Sequence, residues 1–390
     1  MCGIFGYIGH RNASKLLVKG LLRLEYRGYD SSGVVVKNGT LESFKDIGKI
    51  SEMASSLPSL QGSIGIAHTR WATHGAVTRE NAHPHLSNDG KVAIVHNGII
   101  QNSEMLRKRL KKLGVSLNSE TDSEIFCHFI SMDLQEGKTP MEALRNVLSM
   151  VRGTWGLCVL FLEYDFVLCA RNGSPLIVGR GKHEMFISSD PHAIREHTDQ
   201  LVALEDGQIA KVDSRDVQVM QIDGRAVESS YLNLEEEWGE SELGDHPHFM
   251  LKEIHEQAQS LQHCISGRLR HAEGTSVLGG LQIEPHNLAQ LPHIRLIGCG
   301  TALHAAQIGQ ILIEQWARIP AVSHVASEFN ANDPVINPDA LHLAISQSGE
   351  TADTLSAVKE IQRKGADVYG VVNVVGSTIA RQCGKGVYIH

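Results

Sequence analysis

Short apolar runs separated by polar turns dominate the first half of the chain and predict more strands than helices. Each run is rich in β-branched residues and is bounded by glycine, asparagine, aspartate or charged residues, which is typical of strands. The predicted strands cover residues 4–8, 33–36, 64–68, 92–96, 157–162, 166–170 and 176–178.

Amphipathic helices are predicted between these strands. Leucines at 16, 17, 21 and 24 fall on one helical face. The segment Thr139-Pro140-Met141-Glu142 predicts a capping box with proline at the first helical position, and a helix that runs to about Arg152 and stops at Gly153. Because each sheet face must be covered by apolar side chains, sequential strands with helices in separate pairs predict a layered α+β domain over residues 1–212.

The pattern changes after this domain. Residues 213–248 show no clear periodicity and include an acidic stretch at 234–242, so we interpret them as a linker. Beyond the linker, strands alternate with helices, which predicts a parallel α/β sheet in a domain over 249–390. The predicted helices are 249–268, 303–316, 353–363 and a short one after Ser377, and the strands are 294–297, 322–326, 341–346, 368–373 and an apolar run at 386–390.

Composition supports a folded protein of at least two domains: the chain has 390 residues, 42% of them hydrophobic and 21% charged. Its net charge of −8 and scattered basic residues disfavour nucleic-acid binding. No apolar run approaches the roughly 20 residues that a membrane-crossing helix needs, and the start does not resemble a secretory leader. Seven dispersed cysteines without a Cys-x-x-Cys pair argue against a disulfide framework or a metal site. We therefore expect a cytoplasmic protein with no membrane or nucleic-acid partner.

The N-terminus offers a candidate nucleophile. Cys2 follows the initiator Met1, and a small second residue permits removal of that methionine. The thiol would then share a residue with a free α-amino group, and their ordinary pKa values, about 8.5 and about 8, are close enough for the amine to accept the thiol proton. One residue would supply both nucleophile and base. On its own, a Met-Cys start is better explained by processing alone.

Five further segments resemble, in order, the glutaminase domain of class II glutamine amidotransferases. Each could be a turn, a core ring or a snorkelling charge by itself, but together they follow a Met-Cys-Gly-Ile-Phe-Gly start. The resemblance implies an N-terminal-nucleophile fold of four αββα layers. The segments are residues 25–31, 68–75, 81–85, 96–102 and 120–124.

This resemblance implies roles for individual residues. Cys2 attacks the carboxamide of L-glutamine, while the Asn97 side chain and the Gly98 backbone N–H stabilise the oxyanion. Arg70 binds the α-carboxylate and Asp122 the α-ammonium group. The other residues assigned to glutamine binding are Arg27, Trp71, Thr73 and His74; His83 and His85, which flank a proline, fit a structural turn better.

Two donor-rich loops in the second half suggest an anion site. Gly298-Cys299-Gly300-Thr301 and Ser346-Gln347-Ser348-Gly349-Glu350-Thr351 each follow a predicted strand and open a helix. Small residues, hydroxyl groups and the helix dipole favour an anion there, although simple helix capping explains either loop alone. On neighbouring parallel strands, the two loops favour a ligand crevice at the carboxyl end of the sheet.

The second half is similar to the first sugar isomerase (SIS) domain of the glutamine–fructose-6-phosphate aminotransferase family, with specific matches at 326–329 and 346–355. The resemblance implies ammonia transfer to fructose 6-phosphate to give glucosamine 6-phosphate, acid–base chemistry without a metal or cofactor, and a possible homodimer. The implied sugar-phosphate ligands are Cys299, Gly300, Thr301, Ser346, Gln347, Ser348 and Thr351.

The chain departs from this family at three points. Ala302 stands where the family has serine, and Ala258 replaces a proline in a hinge segment that is preceded by a shortened stretch. The chain also stops within the first SIS domain, so the isomerase's glutamate, histidine and lysine have no counterparts. We expect a fragment or a truncated aminotransferase; a stand-alone glutaminase subunit and a non-catalytic sugar-phosphate-binding remnant are the alternatives. Phosphoribosyl-transferring and asparagine-forming amidotransferases are disfavoured, because their pyrophosphate- and ATP-binding loops are missing from the second half.

Overall fold

The computed structural model describes residues 2–72, 75–228, 231–233, 245–270, 272–374 and 376–389. The chain forms two compact units, Met1–Gly239 and Glu240–His390. Within the described residues, no helix is both long enough and apolar enough to cross a membrane.

The first unit combines short helices with many strands. Its helices are α1 (Ala13–Leu24), α2 (Ile50–Ser56), α3 (Ser103–Lys112), α4 (Ile125–Gln135) and α5 (Pro140–Met150), with 3₁₀ turns at Glu25–Arg27 and Pro191–Ala193. Its strands are β1 (Gly3–Ile8), β2 (Ser31–Lys37), β3 (Leu41–Ile47), β4 (Ile64–Arg70), β5 (His85–Leu86), β6 (Val92–Ile100), β7 (Gly153–Phe161), β8 (Val167–Asn172), β9 (Ile177–Arg180), β10 (Met185–Ser188), β11 (Gln200–Ala203), β12 (Gln208–Val212), β13 (Val217–Gln221), β14 (Ala226–Val227) and β15 (Leu232–Asn233).

These strands form two sheets that pack face to face. The first has the order β15-β11-β9-β10-β1-β4-β2-β3, and the second β14-β13-β12-β8-β7-β6-β5. Side chains alternate along β1: Ile4 and Ile8 point into the core between the sheets, while Phe5 and Tyr7 pack against α1 on the outer face. Helices α3, α4 and α5 cover the outer face of the second sheet. The predicted αββα layering is confirmed.

Two local features refine the predicted boundaries. Thr139 caps α5 with the predicted capping box, but the helix ends at Met150 because Val151 is extended and Gly153 begins β7. Residues 217–228 and 231–233 contribute β13, β14 and β15 to the two sheets, so the first unit continues into the segment interpreted as a linker. β14 and β15 span two residues each, too few to show an alternating pattern, and β13 is partly exposed. The acidic stretch at 234–242 lies outside the described residues.

The second unit is a parallel α/β sheet with the order β19-β18-β20-β21-β22, as predicted. A small hairpin, β16-β17, lies outside this sheet. The helices are α6 (Phe249–Ile265), α7 (Pro285–Leu288), α8 (Thr301–Leu312, continued by a π-helical turn, Ile313–Ala317), α9 (Ala326–Phe329), α10 (Ala352–Arg363) and α11 (Thr378–Cys383), with a 3₁₀ turn at Gly279–Leu281. The strands are β16 (Leu269–Arg270), β17 (Thr275–Ser276), β18 (Ile294–Gly298), β19 (Ala321–Val325), β20 (Leu341–Ser346), β21 (Val368–Val372) and β22 (Gly386–Tyr388).

Candidate active site

Cys2 lies at the start of β1, beside the end of the neighbouring strand β4. Gly3 pairs with Thr69 in the β1–β4 register, which brings the thiol next to the residue that follows β4. There the backbone N–H of Trp71 donates a hydrogen bond to Cys2 Sγ at 3.2 Å. Burial raises the pKa of the Cys2 thiol, while the Trp71 N–H and the positive charge of Arg70 partly oppose that rise. The resting sulfur is therefore a protonated thiol that needs a base.

The two predicted oxyanion donors lie on β6, in the other sheet. Asn97 Nδ2 donates to the carbonyl oxygen of Cys2 at 3.1 Å, so the donor already faces the nucleophilic residue. Gly98 has φ +144°, and a Cβ atom there would lie 2.1 Å from the carbonyl oxygen of Thr154 on β7. Only glycine fits at this point. The candidate site thus forms where the ends of two sheets meet.

Arg70 and Asp122 supply opposite charges, and Arg70 interacts electrostatically with both Cys2 and Asp122. Arg70 ends β4, is 4% exposed, and donates from its guanidinium to the carbonyl oxygens of Gly75 and Ala76. Burial lowers the pKa of Arg70, and attraction to Cys2, Asp30 and Asp122 opposes that shift. Such a pair suits the α-carboxylate and α-ammonium groups of an amino acid.

Hydrogen bonds hold the Asp122 carboxylate in place. Its Oδ2 accepts from the backbone N–H of Ile100 at 2.7 Å, and its Oδ1 accepts from the hydroxyl of Ser123 at 3.2 Å. Asp122 is 7% exposed, so its side chain is almost completely shielded from solvent. Ile100 ends the same strand that carries Asn97, so strand β6 connects the Asp122 carboxylate to the predicted oxyanion donors.

Arg27, which the resemblance assigns to glutamine binding, is paired with a carboxylate of the protein itself. Its guanidinium forms a buried ion pair with Asp190 at 2.5 Å, and the Ser188 hydroxyl accepts a hydrogen bond from the Asp190 backbone N–H. Binding of glutamine by Arg27 therefore stays a prediction. Trp71 is 44% exposed, and its ring makes a T-shaped contact with the ring of Tyr29. Thr73 and His74 lie outside the described residues.

Four buried histidines, which the sequence did not identify as part of the site, form a chain of contacts that begins at Asn97. His68 Nε2 lies 2.9 Å from Asn97 Oδ1 and 3.1 Å from the carbonyl oxygen of His96. The His83 ring packs at a tilt against His68 and meets the His85 ring in a T-shaped contact. Burial lowers the pKa of all four histidines, that of His68 to about 3. His68 opens the His-Thr-Arg-Trp segment, but a single histidine on a strand is equally typical of a core residue.

Within the described residues, no group of three or more His, Cys, Asp or Glu side chains has the geometry to hold a metal ion.

The predicted sugar-phosphate ligands lie in two adjacent loops of the second unit. Strands β18 and β20 are parallel neighbours, so the loops that follow them share the carboxyl edge of the sheet. In the second loop, Ser346 Oγ lies 3.2 Å from Thr351 Oγ1 and accepts the backbone N–H of Gly349. Gly349 has φ +64°, and a Cβ atom there would overlap the Ser377 hydroxyl. The loop is therefore tightly wound, with hydroxyl groups at its start and end.

The first loop is more open. Gly300 has φ +55° and leads into α8, whose first residue, Thr301, is exposed. Cys299 is half-buried and free. Binding of a sugar phosphate by these residues, and by Gln347 and Ser348 in the second loop, stays a prediction.

Comparisons with known proteins identify both halves of the chain. A family model described as a glutamine amidotransferase domain matches residues 68–196, and one described as a SIS domain matches residues 287–390. The whole chain is 43% identical to a glutamine–fructose-6-phosphate aminotransferase (isomerizing) of Thermus thermophilus and 44% identical to that of Chlorobaculum tepidum. The chain spans 64% and 65% of the length of these two curated relatives.

A solved structure described as the allosteric regulatory enzyme of purine biosynthesis superimposes with a TM-score of 0.50 at 18% sequence identity. The alignment covers 99% of this chain and 89% of that one. At this level of identity, the likeness concerns the fold alone.

Proposed function

Since the chain joins a glutamine amidotransferase domain to a SIS domain and is related over its whole length to glutamine–fructose-6-phosphate aminotransferases, we propose that it hydrolyses L-glutamine at Cys2 and transfers the ammonia to fructose 6-phosphate. The product would be glucosamine 6-phosphate. One observation carries the first step: Asn97 Nδ2, on the opposite sheet, faces the carbonyl oxygen of Cys2 at 3.1 Å.

The base in this proposal is the α-amino group of Cys2 itself, freed by removal of Met1. Burial raises the pKa of the thiol, so a nearby base must remove its proton before attack. Among the described residues, the hydrogen bonds of Cys2 Sγ go only to the backbone of Trp71, which offers no base. An amine on the same Cα is close to the sulfur by construction.

The thiolate then attacks the carboxamide carbon of glutamine, and the carbonyl oxygen becomes an oxyanion. Asn97 Nδ2 and the Gly98 N–H are the proposed donors to that oxygen. The C–N bond breaks as the nitrogen takes the proton held by the α-ammonium group of Cys2, which releases ammonia and leaves a γ-glutamyl thioester. Water hydrolyses the thioester, giving glutamate and the free thiol.

Two charged groups fix the substrate for this attack. Arg70 binds the α-carboxylate and Asp122 binds the α-ammonium group of glutamine, because both are buried and oppositely charged, and Arg70 interacts electrostatically with both Cys2 and Asp122. In the second unit, the hydroxyl groups of Ser346 and Thr351 and the exposed Thr301 are proposed ligands of the sugar phosphate.

Glutamine turnover by the full chain, with and without fructose 6-phosphate, tests the proposal. We expect ammonia release that is lost in Cys2→Ala and in protein that retains Met1. Cys264→Ala removes another partly exposed free thiol, on α6, and is the matched control. Release of ammonia by Cys2→Ala would contradict the mechanism. Ammonia without glucosamine 6-phosphate would indicate a stand-alone glutaminase, and sugar binding without ammonia release would indicate a sensor.

A homodimer and a cytoplasmic location belong to the same proposal. Large apolar side chains are exposed on the second unit, among them Met250 and Trp316, both 73% exposed, and such surfaces are typical of subunit contacts. Light scattering of the full chain measures the mass: a dimer is expected, and a monomer at micromolar concentration would contradict this part.

A further inference from the structure

His68 and Asn97 face each other across the gap between the two sheets. Along β4, Ile64 and Ile66 point into the core between the sheets, and His68 has the same parity. Along β6, Val95 points into that core and Asn97 follows with the same parity. The hydrogen bond from His68 to Asn97 therefore joins the sheet that carries Cys2 to the sheet that carries the oxyanion donors.

Two backbone carbonyls fix the donor and acceptor in each of the three hydrogen bonds that link His96, His68, Asn97 and Cys2. His68 Nε2 faces the carbonyl oxygen of His96, which can only accept, so Nε2 must carry the proton. Asn97 likewise faces the carbonyl oxygen of Cys2, so the amide atom on that side must be the NH₂ group. The remaining contact, Nε2–H to Asn97 Oδ1 at 2.9 Å, is then a correctly paired donor and acceptor.

The reversed amide is excluded by the same atoms. If Asn97 turned over, its Oδ1 would face the carbonyl oxygen of Cys2, and its NH₂ would face the N–H of His68. Moving the His68 proton to Nδ1 would relieve the second conflict but would leave an Nε2 lone pair against the carbonyl oxygen of His96. His68 is fully buried, so water cannot take over any of these contacts.

We propose that His68 is a positioning residue for glutamine hydrolysis, whose Nε2–H holds the Asn97 amide with Nδ2 facing Cys2 and the oxyanion that forms beside it. This inference rests on the proposed glutaminase function. It requires a neutral ring with the proton on Nε2. Deep burial lowers the pKa of His68 to about 3, so the ring is neutral at neutral pH, and the carbonyl oxygen of His96 selects the Nε2 proton.

Three substitutions separate positioning from packing. His68→Gln places an NH₂ group near the position of Nε2 and can donate to both Asn97 Oδ1 and the His96 carbonyl. His68→Asn is polar but too short to reach, and His68→Leu fills space without a donor. We expect the Asn and Leu variants to lower kcat about 10- to 100-fold, less than the loss of an oxyanion donor itself. KM for glutamine should change by less than about threefold, because the contact matters in the transition state. His68→Gln should recover most of the rate.

A double-mutant cycle with Asn97→Ala measures the coupling between the two residues in kcat. A residue that only fills space would show no such coupling. If His68 acts through Asn97, His68→Asn lowers kcat in the native background but has little further effect once Asn97 is alanine. If the fold losses in kcat of the two single variants multiply in the double variant, the inference is overturned. A His68→Gln variant as slow as His68→Leu would overturn it too. Loss of structure by a variant is checked by circular dichroism.

The tautomer is tested independently of turnover. In ¹⁵N-histidine-labelled full chain, two-bond ¹H–¹⁵N correlation spectra assigned through His68→Gln should show a protonated Nε2 and an unprotonated Nδ1 for His68. A proton on Nδ1 would overturn the inference. Wild-type protein without any ammonia release would contradict the proposed function instead, and the spectrum would still decide the orientation of the His68–Asn97 pair.

Discussion

Substitution of Gly98 by alanine is expected to damage both the fold and the site. The added Cβ atom would lie 2.1 Å from the carbonyl oxygen of Thr154, far inside ordinary contact distance, and φ +144° is a backbone conformation that side chains rarely adopt. Gly98 pairs with Trp155 in the β6–β7 register, so β7 must move to make room. A side-chain rotation cannot relieve the overlap, because both atoms belong to the main chain or are fixed to it.

The size of the effect follows from two contributions. The unusual φ costs about 1–3 kcal/mol, and forcing an extra carbon against the packed strand costs about 1–3 kcal/mol more. Gly98→Ala should therefore lower the free energy of unfolding by about 2–6 kcal/mol. If the Gly98 N–H moves away from the oxyanion position, kcat for glutamine falls by about 10²–10³ as well.

Gly90→Ala is the matched control. Gly90 also has positive φ, +66°, but an added Cβ there would meet no atom within 4 Å. Only the left-handed backbone term remains, about 1–2 kcal/mol. The assay is urea unfolding of the full chain, with hydrogen exchange read by mass spectrometry in peptides covering β6 and β7, so that this region is measured separately. If Gly98→Ala were no less stable than Gly90→Ala and turned over glutamine at the native rate, the reasoning would be refuted.

Three other perturbations have defined outcomes. Stability should be full above about pH 6.5 and fall as the pH drops below it, because burial lowers the folded-state pKa of His68, His83, His85 and His96 while the unfolded chain takes up protons; urea midpoints measured from about pH 8 to about pH 5 check this, and a constant midpoint would contradict it. Asp190→Ala removes one member of the buried Arg27–Asp190 ion pair and should cost about 3–5 kcal/mol in thermal or urea unfolding, whereas a cost below about 1 kcal/mol would show that the pair is exposed in solution. Asp122→Asn should raise KM for glutamine about 10- to 100-fold because a charged hydrogen-bond acceptor for the α-ammonium group is lost; an unchanged KM in steady-state kinetics would remove Asp122 from the binding site.

Much of the fold could be predicted because its strands carry strong alternation or continuous apolar runs. The parallel sheet of the second unit was predicted almost to the residue, since buried strands such as Leu341–Ser346 alternate with amphipathic helices such as α10. Strands β14 and β15 could not be predicted, because they span two residues each, and β13 because it is short and partly exposed; β15 also forms only by pairing with the earlier strand β11.

The candidate site divides in the same way. Cys2, Asn97 and Gly98 could be proposed from local motifs, and the structure brings Asn97 to Cys2 across 95 positions of sequence. His68 could not be assigned, because its role depends on which carbonyl faces its ring, and sheet packing alone determines that. The ion pair of Arg27 with Asp190 joins residues 163 positions apart and leaves no local pattern.

Mass spectrometry of the full chain after incubation with an electrophilic glutamine analogue tests the N-terminal nucleophile most directly. The seven cysteines are free. Cys264 and Cys299 are partly exposed, as Cys2 is, so these two thiols act as internal controls. The account predicts a single adduct on a peptide that begins at Cys2 and lacks Met1. An adduct on any other cysteine, or an unmodified Cys2, would contradict it.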